Sequence, residues 1–219
     1  MKLFRHDIIS IPEITLDESN YTHIYHTADG RKFRSVTTMV NKTKSEKDKQ
    51  NLQNWRDGIG HDVADYILKS SALIGRETHK LNENYLRMEK RNNDFMLLSQ
   101  AHHHKFLPYL NKIDIIHGIE AKLFSDVMEL AGTADCIGMY DGKLSVIDYK
   151  TKRSSQRAEW MTDYFLQTAC YARMWKELTG QDIEQLVILA SSEQNTIQEF
   201  VADPRMYYGK LDERLIQFK

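Results

Sequence analysis

Cysteine and proline are scarce in this chain: two cysteines and three prolines stand among 219 residues. Cys136 and Cys170 lie far apart, and neither belongs to a CxxC pair. That excludes a four-cysteine zinc or iron–sulfur site and suits a reducing compartment. No apolar run is long enough to span a bilayer, and the charged start MKLFRHD does not read as a signal peptide. A cytoplasmic protein with no membrane partner is the expectation. An excess of one charge is also missing, because 30 basic residues face 31 acidic ones for a net charge of −1. No global basic field advertises nucleic acid, so any such site must be a local patch. Internal repeats, low-complexity tracts and linkers are absent as well. What remains is ordinary for a globular protein, 41% hydrophobic and 28% charged. At this length one domain with a sizeable core is expected over 1–219.

The organising stretch is AGTADCIGMYDGKLSVIDYKT, residues 131–151. Two alternating, β-rich runs at 133–140 and 143–150 flank Asp141-Gly142, a strong hairpin signal. Asp135 falls on the first strand, and Asp148 and Lys150 end the second. Side chains alternate along a strand, so Asp148 and Lys150 share a face while Tyr149 points away. Three charges gathered this way make poor core material unless they are paired or hold a metal. Two converging carboxylates suit Mg²⁺ or Mn²⁺, and Lys150 beside them can orient an attacking water or balance charge on a phosphodiester.

Residues 1–20 read as an irregular or extended lead-in, with Pro12 breaking any early helix. The runs 21–27 and 32–36 flank Asp29-Gly30 as a smaller hairpin. Ser35, Val36, Thr37 and Thr38 then lead into a lysine-rich stretch at 41–50, which reads as a solvated face or loop. From 48 to about 91 the spacing is helical: Trp55, Ile59, Val63, Tyr66 and Ile67, then Leu73, Thr78, Leu81 and Tyr85. Gly75 reads as a break or a close approach between two helices. A lone helical histidine such as His79 is more often structural than a ligand. The run His102-His103-His104 fans around a helix and reads as a solvated face rather than a metal site.

Pro108 and the 111–112 region close the helical half. Residues 113–120 and 122–130 read as extended segments. Glu120 between them is either an active-site carboxylate or a solvent-facing strand residue. After a basic link containing Lys152 and Arg153, a helix is expected from about 158 to 178, ended by Gly180. Strands follow at 183–190 and 196–201, and Pro204 opens a last helix. The order implies an α/β or α+β fold with a mixed sheet of four or five strands and helices on both sides. Gln167 and Tyr171, four apart, share one helix face that can border the Lys150 edge.

Together, GRETH at His79, GIEAKL at Glu120, GTAD at 132–135, IDYKT at 147–151 and QTACY at 167–171 resemble the PD-(D/E)XK nuclease superfamily. Within it the chain is most similar to the RecB-like branch, in particular the mitochondrial genome maintenance and bacteriophage exonucleases. That closer likeness adds SVTT at 35–38 and the Trp55–Gly60 stretch, and covers about residues 21–200. Ala134-Asp135 stands where the superfamily motif carries Pro-Asp; the ligand itself is kept.

The resemblance implies a restriction-endonuclease-like sheet with a helical arch over 37–111 and a catalytic core over 112–219. It implies one or two Mg²⁺ or Mn²⁺ ions held by His79, Asp135, Asp148 and the Tyr149 backbone carbonyl. Lys150 would be the catalytic lysine, Glu120 a further acid, and Gln167 with Tyr171 a supporting pair. Ser35, Thr37, Thr38, Trp55, Lys152 and Arg153 would contact DNA, which is expected to be single-stranded and threaded under the arch. Replication or recombination proteins are the implied partners, and a bacterial or phage-infected cytoplasm the setting. An endonuclease of the same fold, a silent DNA-binding accessory protein and a metal hydrolase with another substrate are the rivals.

Overall fold

The computed structural model describes residues 2–17, 23–90, 94–194 and 196–219. Among the described residues, nine strands form one mixed sheet: β1 (Arg5–His6), β2 (Ile14–Asp17), β3 (Ile24–Thr27), β4 (Lys32–Ser35), β5 (Ile113–Ser125), β6 (Leu130–Tyr140), β7 (Lys143–Lys152), β8 (Gln185–Ser192) and β9 (Ile197–Ala202). Their order is β2-β3-β4-β6-β7-β8-β9, with β5 along the other edge of β6 and β1 beyond it. The described residues also form six α-helices: α1 (Val36–Lys42), α2 (Glu46–Ile59), α3 (His61–Leu86), α4 (Leu97–Leu110), α5 (Thr162–Thr179) and α6 (Arg205–Phe218).

The sheet is wider than the four or five strands expected, for two reasons. The lead-in is not a loose extension: β1 pairs in parallel with β5, and β2 pairs antiparallel with β3. The smaller hairpin also joins the main sheet, because β4 pairs in parallel with the start of β6 at Leu130 and Ala131. Tyr21 and Thr22 of the expected first strand, and Arg91 at the expected helix end, lie outside the described residues.

The main hairpin forms where the turn chemistry dictates. Asp141 and Gly142 both have positive φ (47° and 79°), which an Asp-Gly pair tolerates and a type I′ turn requires. All eight residues of β8 are buried, as suits a strand covered on both faces, and β8 runs parallel to β7 with α5 as the crossover. Leu123, Ile137, Val146 and Leu186 face one side of the sheet and pack with α1, α5 and α6. Ile116, Cys136, Ile147, Tyr149 and Leu189 face the other and pack with Leu86, Phe106 and Leu110 from α3 and α4.

Three local expectations are corrected. The two extended segments around Glu120 are one strand, β5, with register shifts between Ile113 and Gly118. Gly75 breaks no helix. The helical run is divided at Gly60 (φ 87°), whereas Gly75 sits inside α3, where a Cβ would lie 3.6 Å from Thr151 Oγ1 on β7. The close approach is therefore helix to strand. His102 and His103 are buried at 1% and 4% exposure rather than solvated, since α4 packs both against neighbours. His102 Nδ1 lies 2.8 Å from Ser191 Oγ and His103 Nδ1 2.7 Å from Asn82 Oδ1. Burial pulls the His102 imidazole down to about 4, so it is a neutral core histidine.

The bulged segment of β5 fixes a glycine on β6. A Cβ at Gly138 would lie 2.4 Å from the Ile115 carbonyl oxygen, a backbone atom with no room to yield. Gly138→Ala is expected to destabilise the protein by roughly 2–3 kcal/mol. Gly209→Ala, in open space within α6, should instead stabilise it by about 0.5–1 kcal/mol. Urea denaturation of the two variants checks this; equal midpoints would contradict it.

Candidate active site

The site lies where β6 and β7 part. The two strands are paired from Tyr140↔Lys143 to Cys136↔Ile147 and no further. Beyond that pair, β6 turns to β4 at Ala131 and β7 continues beside β8. The divergence leaves backbone groups without a ladder partner, and side chains take their place. The Tyr149 N–H donates to Asp135 Oδ2 at 2.8 Å. Tyr25 OH lies 3.1 Å from Thr133 Oγ1, tying β3 to the same opened edge.

The fork joins the two faces of the sheet. Cys136 and Ile147 belong to the core under α3 and α4, whereas Val146 and Ile137 belong to the core under α5. Alternation turns Asp148 with Lys150 towards α5, whereas on β6 it breaks: Ala134 and Ile137 both belong to the α5 core, and Asp135, next to Cys136, meets α3. From the first side, α3 brings His79, whose Nδ1 is 3.3 Å from Asp135 Oδ1. Its Nε2 lies 2.8 Å from the Tyr149 carbonyl oxygen, which can only accept. From the second side, Lys150 Nζ reaches Asp148 at 2.8 and 2.9 Å and Gln167 Oε1 at 3.5 Å. Gln167 in turn donates to Tyr171 OH at 3.1 Å.

Glu120 completes the cluster. It lies between the Ile119↔Cys136 and Ala121↔Ala134 pairs and adopts φ 49°, a left-handed backbone costly for a residue with a Cβ. Ligand atoms of His79, Glu120 and Asp135 all fall within 4.8 Å of one another. Glu120 is thus half-buried against His79 and Asp135 and is not a solvent-facing strand residue. Asp148 stands on the flank, engaged by Lys150. Its Oδ2 is buried, and the ammonium 2.8 Å away approaches off the hydrogen-bonding direction, so this oxygen has no directed donor.

Burial and mutual charge set the protonation states. Burial lowers the His79 imidazole, but the Asp135 carboxylate outweighs it and pushes the pKa up to about 9. Both ring nitrogens face acceptors, as a doubly protonated ring requires. Burial raises Glu120 to about 7, helped by the Asp135 charge. Burial also raises Asp148 to about 6 against the pull of Lys150. Asp135 is held below its ordinary value: burial would raise it, and His79 overrides that. Lys150 is held above its own, because Asp148 overrides burial, so at neutral pH it is an ammonium and no base. A cluster that keeps an imidazolium among two carboxylates and a carbonyl favours positive charge. Oxygen donors with one imidazole suit a hard divalent cation, and the orphaned Asp148 oxygen adds a further acceptor.

The expected DNA contacts are placed unequally. Ser35 is buried, and its hydroxyl caps α1 by accepting from the Thr38 N–H at 3.1 Å, so it shapes the turn that carries Thr37. Thr37 is exposed and lines a groove of about 800 Å³ that reaches Lys150 and Gln167. Thr38 is half-buried, its hydroxyl 2.8 Å from that of Ser35. Trp55 is half-buried on α2, Lys152 is bonded to Tyr164 OH, and Arg153 is exposed. Sequence reasoning missed Tyr164. Its ring lies 4.8 Å from Lys150 Nζ and 4.4 Å from Lys152 Nζ, and its spacing of three and seven from Gln167 and Tyr171 was the available signal. Gly132 of the GTAD segment is required by the same helix face, since a Cβ there would lie 2.6 Å from the Tyr171 ring.

Fold and cluster together define a nuclease, and comparison with known proteins agrees. Residues 26–216 match the sequence profile of the PD-(D/E)XK nuclease superfamily, and the chain belongs to that superfamily. The mixed sheet flanked by helices is its restriction-endonuclease-like fold. Mitochondrial genome maintenance exonuclease 1 of Homo sapiens is 24% identical over 123 residues, which cover 53% of this chain and 36% of that protein. The match thus spans about a third of that relative's length. A crystal structure from Eubacterium rectale, described as a candidate exonuclease, aligns with a TM-score of 0.43 at 12% identity, over 68% of this chain and 63% of that one. Among the described residues, no helix is long and apolar enough to cross a membrane.

The raised His79 pKa has a sign that can be measured. Its stabilising contribution is fully present below the unfolded value of 6.5 and is lost as pH rises through about 9. In EDTA, the wild type should lose on the order of 2 kcal/mol between pH 7 and 10 relative to His79→Gln. Chemical denaturation at a series of pH values checks this; parallel curves for the two proteins would contradict it.

Proposed function

We propose that this chain is a metal-dependent exonuclease that hydrolyses phosphodiester bonds of single-stranded DNA. One observation carries the proposal: the Lys150 ammonium sits between Asp148 and Gln167 at the head of a groove, next to the His79–Glu120–Asp135 cluster. PD-(D/E)XK nucleases use divalent metals. Asp135, Asp148, the Tyr149 carbonyl and His79, once a cation takes the place of its ring proton, would hold one or two Mg²⁺ or Mn²⁺ ions here, with Glu120 as a further acid. A bound cation supplies charge neutralisation at the phosphate and a more acidic water.

The chain's own groups do the rest. Lys150, kept protonated by Asp148, donates hydrogen bonds to the attacking water and to the phosphate oxygen that gains charge. Gln167 accepts from the ammonium alongside Asp148, and Tyr171 fixes Gln167. Glu120, raised to about 7 by burial, is poised to exchange a proton with solvent at neutral pH. Thr37, Trp55, Lys152 and Arg153 contact the strand, and Ser35 with Thr38 supports Thr37. The helices within 37–111 serve as an arch over a catalytic core at 112–219, so that a free end must be threaded.

Linear and circular single strands offered with Mg²⁺ test the whole reading. The wild type is expected to degrade the linear strand and spare the circle. Lys150→Ala should lose at least about 100-fold in rate, the scale of one removed charge-stabilising donor. Cleavage of the circle would make the protein an endonuclease, and binding without cleavage would make it an accessory protein.

A further inference from the structure

The groove that ends at Lys150 runs between the α1–α2 turn and a 3₁₀ turn, Ala158–Met161, that leads into α5. Three lysines line it, Lys44, Lys49 and Lys150, against Asp48 and Asp163. Asp163 is paired with Arg214 at 3.0 Å, Lys49 with Glu46 at 2.7 Å and Lys150 with Asp148, so the lining carries one more basic than acidic side chain and its preference for an anion is modest. Its walls also carry large apolar surface in contact with water: Trp160 is 53% exposed and Leu52 51%. The Arg157 guanidinium lies over the indole, 5.3 Å from its centroid, and adds a cation beside this exposed ring.

Trp160 also marks a boundary. A second groove of about 730 Å³ adjoins the first and shares Lys44, Asp48, Trp160 and Asp163 with it. Beyond the indole its lining loses Lys49 and Lys150 and gains Glu46 and Glu159 together with Lys210 and Arg214, so acidic side chains outnumber basic ones there. A ligand that lays phosphates along Lys44 and Lys49 towards Lys150 thus meets a flat aromatic surface at the point where its phosphates cease to be favoured. Lysines for phosphates beside an exposed indole form the chemistry of a single-strand site, where an unpaired base stacks and the backbone is held by charge. The bases of a duplex are stacked on each other and leave no free face.

We infer that Trp160 is a base-stacking platform, which positions a nucleotide of single-stranded substrate so that the adjoining phosphate reaches Lys150. The inference rests on the nuclease reading above and adds to it a residue outside the metal cluster. Trp160 is a positioning residue: it sets substrate affinity and leaves the chemical step to Lys150 and its neighbours.

The test uses a fluorescently labelled thymidine oligonucleotide bound in EDTA, so that no cleavage intervenes, and a series of the same strand with one abasic position each. Trp160→Ala should bind roughly 5- to 100-fold more weakly than wild type, and Trp160→Phe should recover most of that loss. At one abasic position, the wild type should lose as much affinity as the substitution costs, and Trp160→Ala should lose nothing further. With Mg²⁺, the KM of Trp160→Ala should rise while kcat stays within about twofold. Unchanged binding by Trp160→Ala, or a loss spread evenly over every abasic position and not recovered by Phe, overturns the inference while leaving Lys150-dependent cleavage intact. A wild type that neither binds nor cleaves the strand overturns the nuclease reading and this inference together.

Discussion

A single hydrogen bond, from the Tyr149 backbone N–H to the Asp135 carboxylate, is the joint on which the site depends. β5 takes one edge of β6 along its whole length, so β7 and β4 share the other edge, one half each, and cannot lie side by side there. The sheet therefore opens between Ala131 and Cys136. An opened sheet exposes backbone donors that would cost free energy if left dry and unpaired. Asp135 removes that cost for Tyr149 and is itself fixed in the gap. The same opening lets His79 from α3 and Lys150 with Gln167 beside α5 approach one point, although a closed sheet would separate them.

Charge balance then determines what the gap can hold. His79 and Lys150 are positive, Asp135 and Asp148 negative, and Glu120 is half-ionised near neutrality. All are largely withdrawn from water, where an unpaired charge is costly, so each persists through its neighbours. The arrangement has little slack, and loss of one member moves the protonation of the others. Such mutually dependent groups, with the Asp148 carboxylate near 6 beside an ammonium that stays charged and Glu120 near 7 beside His79 and Asp135, are suited to proton transfer and charge stabilisation. The left-handed backbone at Glu120 points the same way: strain of this kind persists where the surroundings hold it in place.

Much of this was legible in the sequence. Asp141-Gly142 located the hairpin, the alternation of Asp148, Tyr149 and Lys150 assigned their faces, and the spacing of Gln167 and Tyr171 put both on one side of α5. Other features depend on contacts that no local pattern encodes. The lead-in becomes β1 and β2 because β5 and β3 offer edges to it. His102 and His103 are buried because Ser191 and Asn82 meet them from other elements, so a polar run on α4 is core. Gly75 looked like a helix breaker, yet it serves the contact of α3 with Thr151. Glu120 could be weighed only evenly from sequence, because its place in the cluster follows from a positive φ in the middle of a strand. Trp160 carried no periodic signal at all, lying in a single 3₁₀ turn.

The central claim is that the fork between β6 and β7 is a cation site organised by Asp135. Anomalous diffraction from crystals soaked in Mn²⁺ tests it most directly. The account predicts a peak at about 2.1 Å from an Asp135 carboxylate oxygen, with the Tyr149 carbonyl or the His79 or Asp148 side chain in the same shell. The peak should vanish in Asp135→Asn. A peak elsewhere in the molecule, or one at the fork that survives this substitution, would contradict the account.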